Sequence, residues 1–392
     1  MSESTTATGE NILQALEGLV PQWRERGPET EEMGRLPETT LADLDAAGVF
    51  RALRPVEAGG LGVGLREFTD IIRVLSRGDA SVGWLGGLYT AHAWMLSRLD
   101  KQAQDEIFGD KPSTLATVVT SQPGSAEVVE GGYRVTGRWR FASGILHADW
   151  ALFIVFSEDG PLACAIPRHE ITVHDTWHVP GMKATGSNDA EVTDVFVPAH
   201  RTLSFQLLTE PDSPGADLYD YPLLRYPVPR VLPLIHAAVA LGVADAALEL
   251  FPEVTEGRVR LQNQARVIEE PATHELYGQA VFERRCSELL IRDACEILDA
   301  GFGGEAPGLT LEQRADLNLA IAGSTHRAFA SVDLLVQAAG ASIHRTGQHL
   351  DRICRDTQVM RNHTLVDWRY HATTSGRVLM GQGLGPLMDF QF

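Results

Sequence analysis

The chain has 392 residues, 44% of them hydrophobic and 22% charged, which is enough for two or three domains with sizeable cores. A formal net charge of −19, with lysines only at 101, 111 and 183, argues against nucleic acid or an anionic membrane as partner, since both select clustered Lys and Arg. Four cysteines form no CxxC pair, no secretory leader is recognised and no run of about 18 apolar residues occurs, so a cytoplasmic protein without a transmembrane helix is expected.

The opening "MSESTTATGE" is polar and is expected to fray. Helical signals follow. "LPETTLADLDAAGVF" carries Pro37 and acidic residues in its first turn and Gly48 at its end, and "LREFTDIIRVLSRG" also stops at a glycine. "SVGWLGGLYTAHAWMLSRL" sets Leu85, Leu88, His92 and Leu96 on one helical face. From about residue 113 the texture changes to short β-rich runs: "TLATVVT", "YRVTGRWRF", "WALFIVF", "LACAIP" and "AEVTDVFVP". These predict a β domain, sandwich or barrel. After a Pro-containing connector (206–227), long Ala-rich apolar stretches predict a four-helix bundle. The expected organisation is a helical domain over 1–112, a β domain over 113–207 and a helical bundle over 208–392.

In "YRVTGRWRFASG" Tyr133, Val135, Gly137, Trp139 and Phe141 alternate with Arg134, Thr136, Arg138 and Arg140, the period of a strand with one buried face. The strand delivers aromatic side chains and Ser143 to one spot and then turns. "VEAGGLGVG" lacks the spacing and the strand-to-helix context of a dinucleotide loop and reads as an interhelical turn. His169, His174 and His178 cluster in sequence, but the segment is β-like, contains Pro180 and has no completing carboxylate or cysteine, so no metal is expected. His92 sits beside Trp84, Tyr89 and Trp94, either as a core histidine with a backbone partner or as a polar group in an aromatic pocket. By spacing alone His363, in "RDTQVMRNHTLVDWRYH", reads as part of a solvated helix face.

The helical–β–helical order, with "LPETTLADLDAAGVFRALRPVEAGGLG" and "GRWRFASG", resembles the acyl-CoA dehydrogenase superfamily over nearly the whole chain. "SVGWLGGLYTAHAWMLSRLDKQAQDEIFG" and "WRFASGILHADWALF" are more similar to its flavin-dependent monooxygenases, the oxygenase components of two-component aromatic hydroxylases. Dehydrogenases of the superfamily carry a Glu base near the end of the bundle, and "RDTQVMRNHTLVDW" has none. The resemblance implies a mostly α fold with a central β domain, and reduced flavin (FADH2 or FMNH2) with O2 as co-substrate. The flavin comes by diffusion from an NAD(P)H-dependent reductase, and a C4a-(hydro)peroxyflavin hydroxylates a small aromatic substrate. Relatives that oxidise nitrogen or sulfur, and the dehydrogenases themselves, define the alternatives. The resemblance also implies that Trp139 and Phe141 wall the flavin and that Ser143 meets its N5. His363 acts on the oxygen or the substrate, and an unperturbed pKa near ~6.5 would let it titrate in the working range. His92 and Ser121 bind substrate. "VQAAGASIHRTGQHLDRICRD", with Ala339 where glycine is usual, meets the distal end of the flavin across a subunit interface. A homotetramer is expected.

Overall fold

The computed structural model describes residues 3–260, 264–304, 308–345 and 347–384, without the side chains of 3–7, 121–122 and 342. Helices α1 (Glu3–Glu17), α2 (Val20–Met33), α3 (Glu38–Ala46), α4 (Leu65–Gly78), α5 (Ala80–Leu96) and α6 (Lys101–Phe108) precede the strands. The N-terminal stretch expected to fray is therefore helical from Glu3. Strands β1 (Ala116–Val129), β2 (Gly132–Ala142), β3 (Trp150–Ser157), β4 (Gly160–Pro167), β5 (Thr172–His174), β6 (Asn188–Pro198) and β7 (Thr202–Ser204) follow. Then come a short α7 (Phe205–Thr209) and α8 (Val228–Thr255), α9 (Pro271–Phe302), α10 (Leu311–Ala339), α11 (His349–Met360) and α12 (Trp368–Leu379).

Among the described residues the strands form one seven-stranded sheet in the order β5-β6-β2-β1-β3-β4-β7, antiparallel except for the β1–β3 pair. Alternation along β3 serves two cores. Leu152 and Ile154 face the helices, while Phe153 and Val155 join Val135, Trp139, Val192 and Val197 in a core of the β region. The helices before and after the sheet share a single core, in which α4, α5 and α8 pack together.

Every residue of α5 is buried, so this helix is apolar on all sides rather than on the single face its spacing suggests. Asp79 caps it by accepting from the backbone N–H of Ser81 at 2.8 Å and of Val82 at 3.3 Å. Gly87 lets α8 approach, since a Cβ there would stand 2.8 Å from Ile235 Cγ2. By length and composition α8 could cross a membrane, which corrects the expectation that no such segment exists, but 89% of its most apolar window is buried among the other helices. The connector after β7 is folded, not loose. Arg98, wholly buried at the end of the α5 region, donates to the carbonyls of Leu207, Glu210, Leu224 and Tyr226. Burial pushes its guanidinium down to about 10.

Candidate active site at the end of the second strand

Alternation along β2 holds as far as Trp139 and then breaks. The pairing of β2 with β6 shifts register between Trp139 and Ala142, and Phe141 takes φ +62°, a left-handed backbone that side chains other than glycine seldom adopt. Phe141 is therefore turned outward, 62% exposed, with its ring edge-on to Trp177 at 6.2 Å between centroids. Trp139 does not reach the surface. Its ring stacks on Phe153 at 4.2 Å, its indole N–H donates to Ile154 O at 3.0 Å, and Gly124 makes room for it, since a Cβ there would stand 2.5 Å from the ring. Trp139 thus lies in the β core beneath the strand end and has no exposed face to offer a ligand.

Ser143 stands just past this bulge. Its Oγ lies 2.7 Å from Ser187 Oγ, which lies 2.7 Å from Thr185 Oγ1, and Thr185 Oγ1 donates to Met182 O at 2.8 Å. The backbone here is pinned from two sides. Thr117 Oγ1 donates to Ser143 O at 2.6 Å, and Tyr89 of α5 donates to Gly144 O at 2.7 Å.

The same α5 carries His92 one turn further along. His92 is 3% exposed, and its Nδ1 lies 2.9 Å from Ala116 O, the residue before Thr117. A carbonyl only accepts, so Nδ1 carries the proton. Burial lowers the ring's pKa to about 4, so the imidazole is neutral and Nε2 presents a lone pair. His92 has the backbone partner of a core histidine, and through Ala116 and Thr117 it is also tied to the Ser143 turn.

Two turns before His92, Trp84 packs edge-on against two further histidines, His236 at 4.7 Å and His363 at 5.6 Å between centroids. The two imidazoles lie 4.1 Å apart between centroids and their Nε2 atoms 3.4 Å apart. Their other nitrogens fix the tautomers. His236 Nδ1 donates to Leu232 O at 3.3 Å, whereas His363 Nδ1 accepts from the Leu365 N–H at 3.3 Å. His363 therefore carries its proton on Nε2 and directs it at the bare Nε2 of His236. Burial pushes His363 down to about 4, and burial with the facing His363 holds His236 well below the ordinary range. The expectation that His363 titrates near neutrality, and that it belongs to a solvated helix face, is corrected: it caps a short turn after α11, half-buried, with its ring against Trp84 and His236. The indole N–H of Trp84 is buried with no partner among the described residues. His236 escaped the sequence reading. Its only signal was an isolated histidine within "LPLIHAAVALGV", a position where a buried polar ring must have a use or a partner.

Of the remaining expectations, Ser121 falls within β1, but its side chain is outside what the structure describes. His169, His174 and His178 face different carboxylates, Glu170 at 4.0 Å, Glu191 at 2.7 Å and Asp175 at 3.7 Å, and do not converge. The two carboxylates near His363 are committed elsewhere: Asp356 accepts from the Met182 N–H and Asp367 from the Tyr370 N–H at 3.0 Å. Ala339 ends α10, where its carbonyl accepts from Arg258, and Gly340 follows at φ +72°.

Residues 234–368 match the family described as acyl-CoA dehydrogenase, C-terminal domain. The whole molecule superposes on XiaF from Streptomyces sp., solved in complex with FADH2 and glycerol, with a TM-score of 0.89 at 26% identity over 98% of each chain. The fold is thus that of the acyl-CoA dehydrogenase-like flavoenzymes. The chain is 33% identical over 380 residues to the pigment production hydroxylase of Rhodococcus sp., covering 94% of this chain and 96% of that one. It is 31% identical to the oxygenase subunit HsaA of the flavin-dependent monooxygenase of Rhodococcus jostii, over 91% and 94% of the two chains. Within that fold the chain belongs to the oxygenase components of the flavin-dependent monooxygenases.

The residues present fit a flavin. An outward aromatic ring and a hydroxyl share the end of β2, and an unpartnered indole N–H lies against neutral imidazoles.

Proposed function

We propose that this protein hydroxylates a small aromatic substrate bearing a hydroxyl group, in the cytoplasm, using reduced flavin delivered by diffusion from a separate NAD(P)H-dependent reductase. The flavin supplies the two electrons with which one atom of O2 enters the substrate and the other leaves as water. The observation that carries the substrate class is the tautomer of His92. With Nδ1–H spent on Ala116 O, its Nε2 can only accept, and a phenolic O–H is the matching donor. The resorcinol hydroxylase and the p-hydroxyphenylacetate 3-hydroxylase among the relatives support the same class.

In this reading Phe141 supplies the apolar wall for the flavin ring and Ser143 meets its N5. His363 donates from Nε2 to the oxygen being transferred, while the Nε2 of His236 holds that proton in place beforehand. Trp84 and Leu88, at 8% and 9% the least buried residues of α5, line the substrate side and keep water out. The segment carries no Glu, and both of its carboxylates, Asp356 and Asp367, hold backbone N–H groups, which favours the oxygenase over a dehydrogenase. We further propose a homotetramer, supported by Val281, Phe282 and Leu289, which leave an apolar strip on α9 exposed.

The test is to mix the protein and anaerobically reduced flavin with 18O2 in the presence of phenols, aryl amines and thioethers. One 18O atom in a ring hydroxyl, with hydrogen peroxide release suppressed by that phenol, is the expected outcome. Label found only in an N- or S-oxide moves the enzyme to another substrate class. Anaerobic bleaching of bound oxidised flavin by an acyl-CoA, without oxygen insertion, overturns the reading.

A further inference from the structure

We infer that Ser187 and Thr185 are positioning residues that fix the direction of the Ser143 hydroxyl, so that the site accepts a hydrogen bond from reduced flavin and discriminates against oxidised flavin. The inference rests on the reading of Ser143 as the N5 partner.

A hydroxyl has one hydrogen to give. Met182 O can only accept, so the 2.8 Å contact spends the Thr185 hydrogen on that carbonyl, which also receives Trp177 Nε1–H at 3.0 Å. Thr185 Oγ1 can then only accept from Ser187, 2.7 Å away, and this spends the Ser187 hydrogen. Ser187 Oγ in turn can only accept from Ser143 at 2.7 Å. The series runs Ser143 to Ser187 to Thr185 to Met182 O, with each hydrogen pointing away from the site. Ser187 and Thr185 are 4% and 2% exposed, so water does not compete for these hydrogens. The far end is anchored too, because the Met182 N–H donates to the buried carboxylate Asp356 on α11. Ser143 Oγ is left with lone pairs and no hydrogen for a ligand. Flavin N5 bears N–H when reduced and a bare lone pair when oxidised. Such a hydroxyl pairs with the first and opposes the second, which releases spent cofactor to the reductase.

The experiment is anaerobic equilibrium titration of the whole protein with reduced and with oxidised flavin, reported as the ratio of the two dissociation constants. In Ser187→Ala the Ser143 hydrogen loses its acceptor and turns to the ligand, so binding of oxidised flavin tightens and the preference for the reduced form falls by roughly tenfold, the size of one hydrogen bond gained or lost. Thr185→Val frees the Ser187 hydrogen to point at Ser143 and gives the same change, and Thr185→Ser restores the parent ratio. Ser143→Ala behaves differently: affinity for reduced flavin drops, and that for oxidised flavin gains only the relief of the lone-pair contact, less than the hydrogen bond gained in Ser187→Ala. Thermal melting alongside shows that each variant is folded. If Ser143→Ala weakens reduced-flavin binding while Ser187→Ala and Thr185→Val keep the parent ratio, or shift it toward reduced flavin, the relay is overturned and the site reading stands. If Ser143→Ala changes neither affinity, the site reading falls and the relay with it.

Discussion

His363 and His236 share one proton between facing nitrogens, and the backbone contacts at Leu365 and Leu232 decide which ring holds it. In His363→Asn the side-chain oxygen can still accept from the Leu365 N–H, so the turn survives, but the donor at Nε2 is lost. Substrate hydroxylation is expected to slow by at least ~10²-fold with the melting temperature nearly unchanged. Single-turnover product yield, measured beside a thermal melt, checks this. The acid response follows from the depressed pKa values. His92 and His363 are held near 4 and His236 is held low, while all three take up protons near ~6.5 when unfolded. Between those values the unfolded chain binds more protons, so stability is complete above about pH 6.5 and falls as pH drops toward 4. His92 and His363 each contribute ~1–3 kcal/mol to that loss, and His363→Asn should flatten the slope of denaturation midpoint against pH. A parallel slope in the variant would count against the buried, neutral assignment. The resemblance pointed to His363 in the sequence, but its surroundings were not legible there: "RNHTLVDW" shows a histidine among polar neighbours, and the rings that pack on it, Trp84 of α5 and His236 of α8, come from far away along the chain.

At the scale of elements, β2 shows where periodicity informs and where it stops. Alternation correctly marks Val135 and Trp139 as inward. Extended by two more residues it also marks Phe141 as inward, but the shift against β6 inserts an extra residue and turns Phe141 out. No local sequence signal announces that shift, because it is set by pairing with a strand about fifty residues later. The left-handed backbone at Phe141 costs ~1–3 kcal/mol for a residue with a Cβ. Phe141→Gly is therefore expected to hold or raise stability, by up to ~1 kcal/mol, while weakening flavin binding at least tenfold. Denaturant titration and flavin titration of the same preparation separate the two effects, and a loss of stability would show that the ring packs as core. The connector was likewise opaque. Its prolines announce turns, but its order derives from Arg98, whose buried guanidinium no local pattern reveals.

At the scale of the molecule, the order of helical, β and helical segments was readable from changes of texture, and so was the resemblance that names the family. The sharing of one core by the first and last helical segments was not, because contacts between α4 and α8 join residues more than a hundred positions apart. The exposed strip on α9 gives a molecular prediction. Phe282, 61% exposed, is expected to be covered by another copy of the chain, so Phe282→Asp should shift a tetramer to smaller species in sedimentation. An unchanged sedimentation coefficient would remove α9 from the interface. The pH loss and this dissociation differ in their dependence on protein concentration, so they can be told apart.

The ties that frame the site run from side-chain donors to main-chain carbonyls: His92 to Ala116, Thr117 to Ser143, and Arg98 to Leu207, Glu210 and Leu224. A carbonyl is present whatever side chain its residue bears. Inheritance of this frame is therefore lopsided. The donor positions are fixed by chemistry, while the acceptor positions are free to drift as far as these bonds are concerned. Glu210, on the connector, can be rewritten by mutation without unfastening it, whereas Leu207 also packs its side chain against the helical core. A scan of all substitutions at 98, 207 and 210, selected for folding alone, should find position 98 intolerant and position 210 permissive. A lineage with such a frame can vary its acceptor residues widely while the donors stay put.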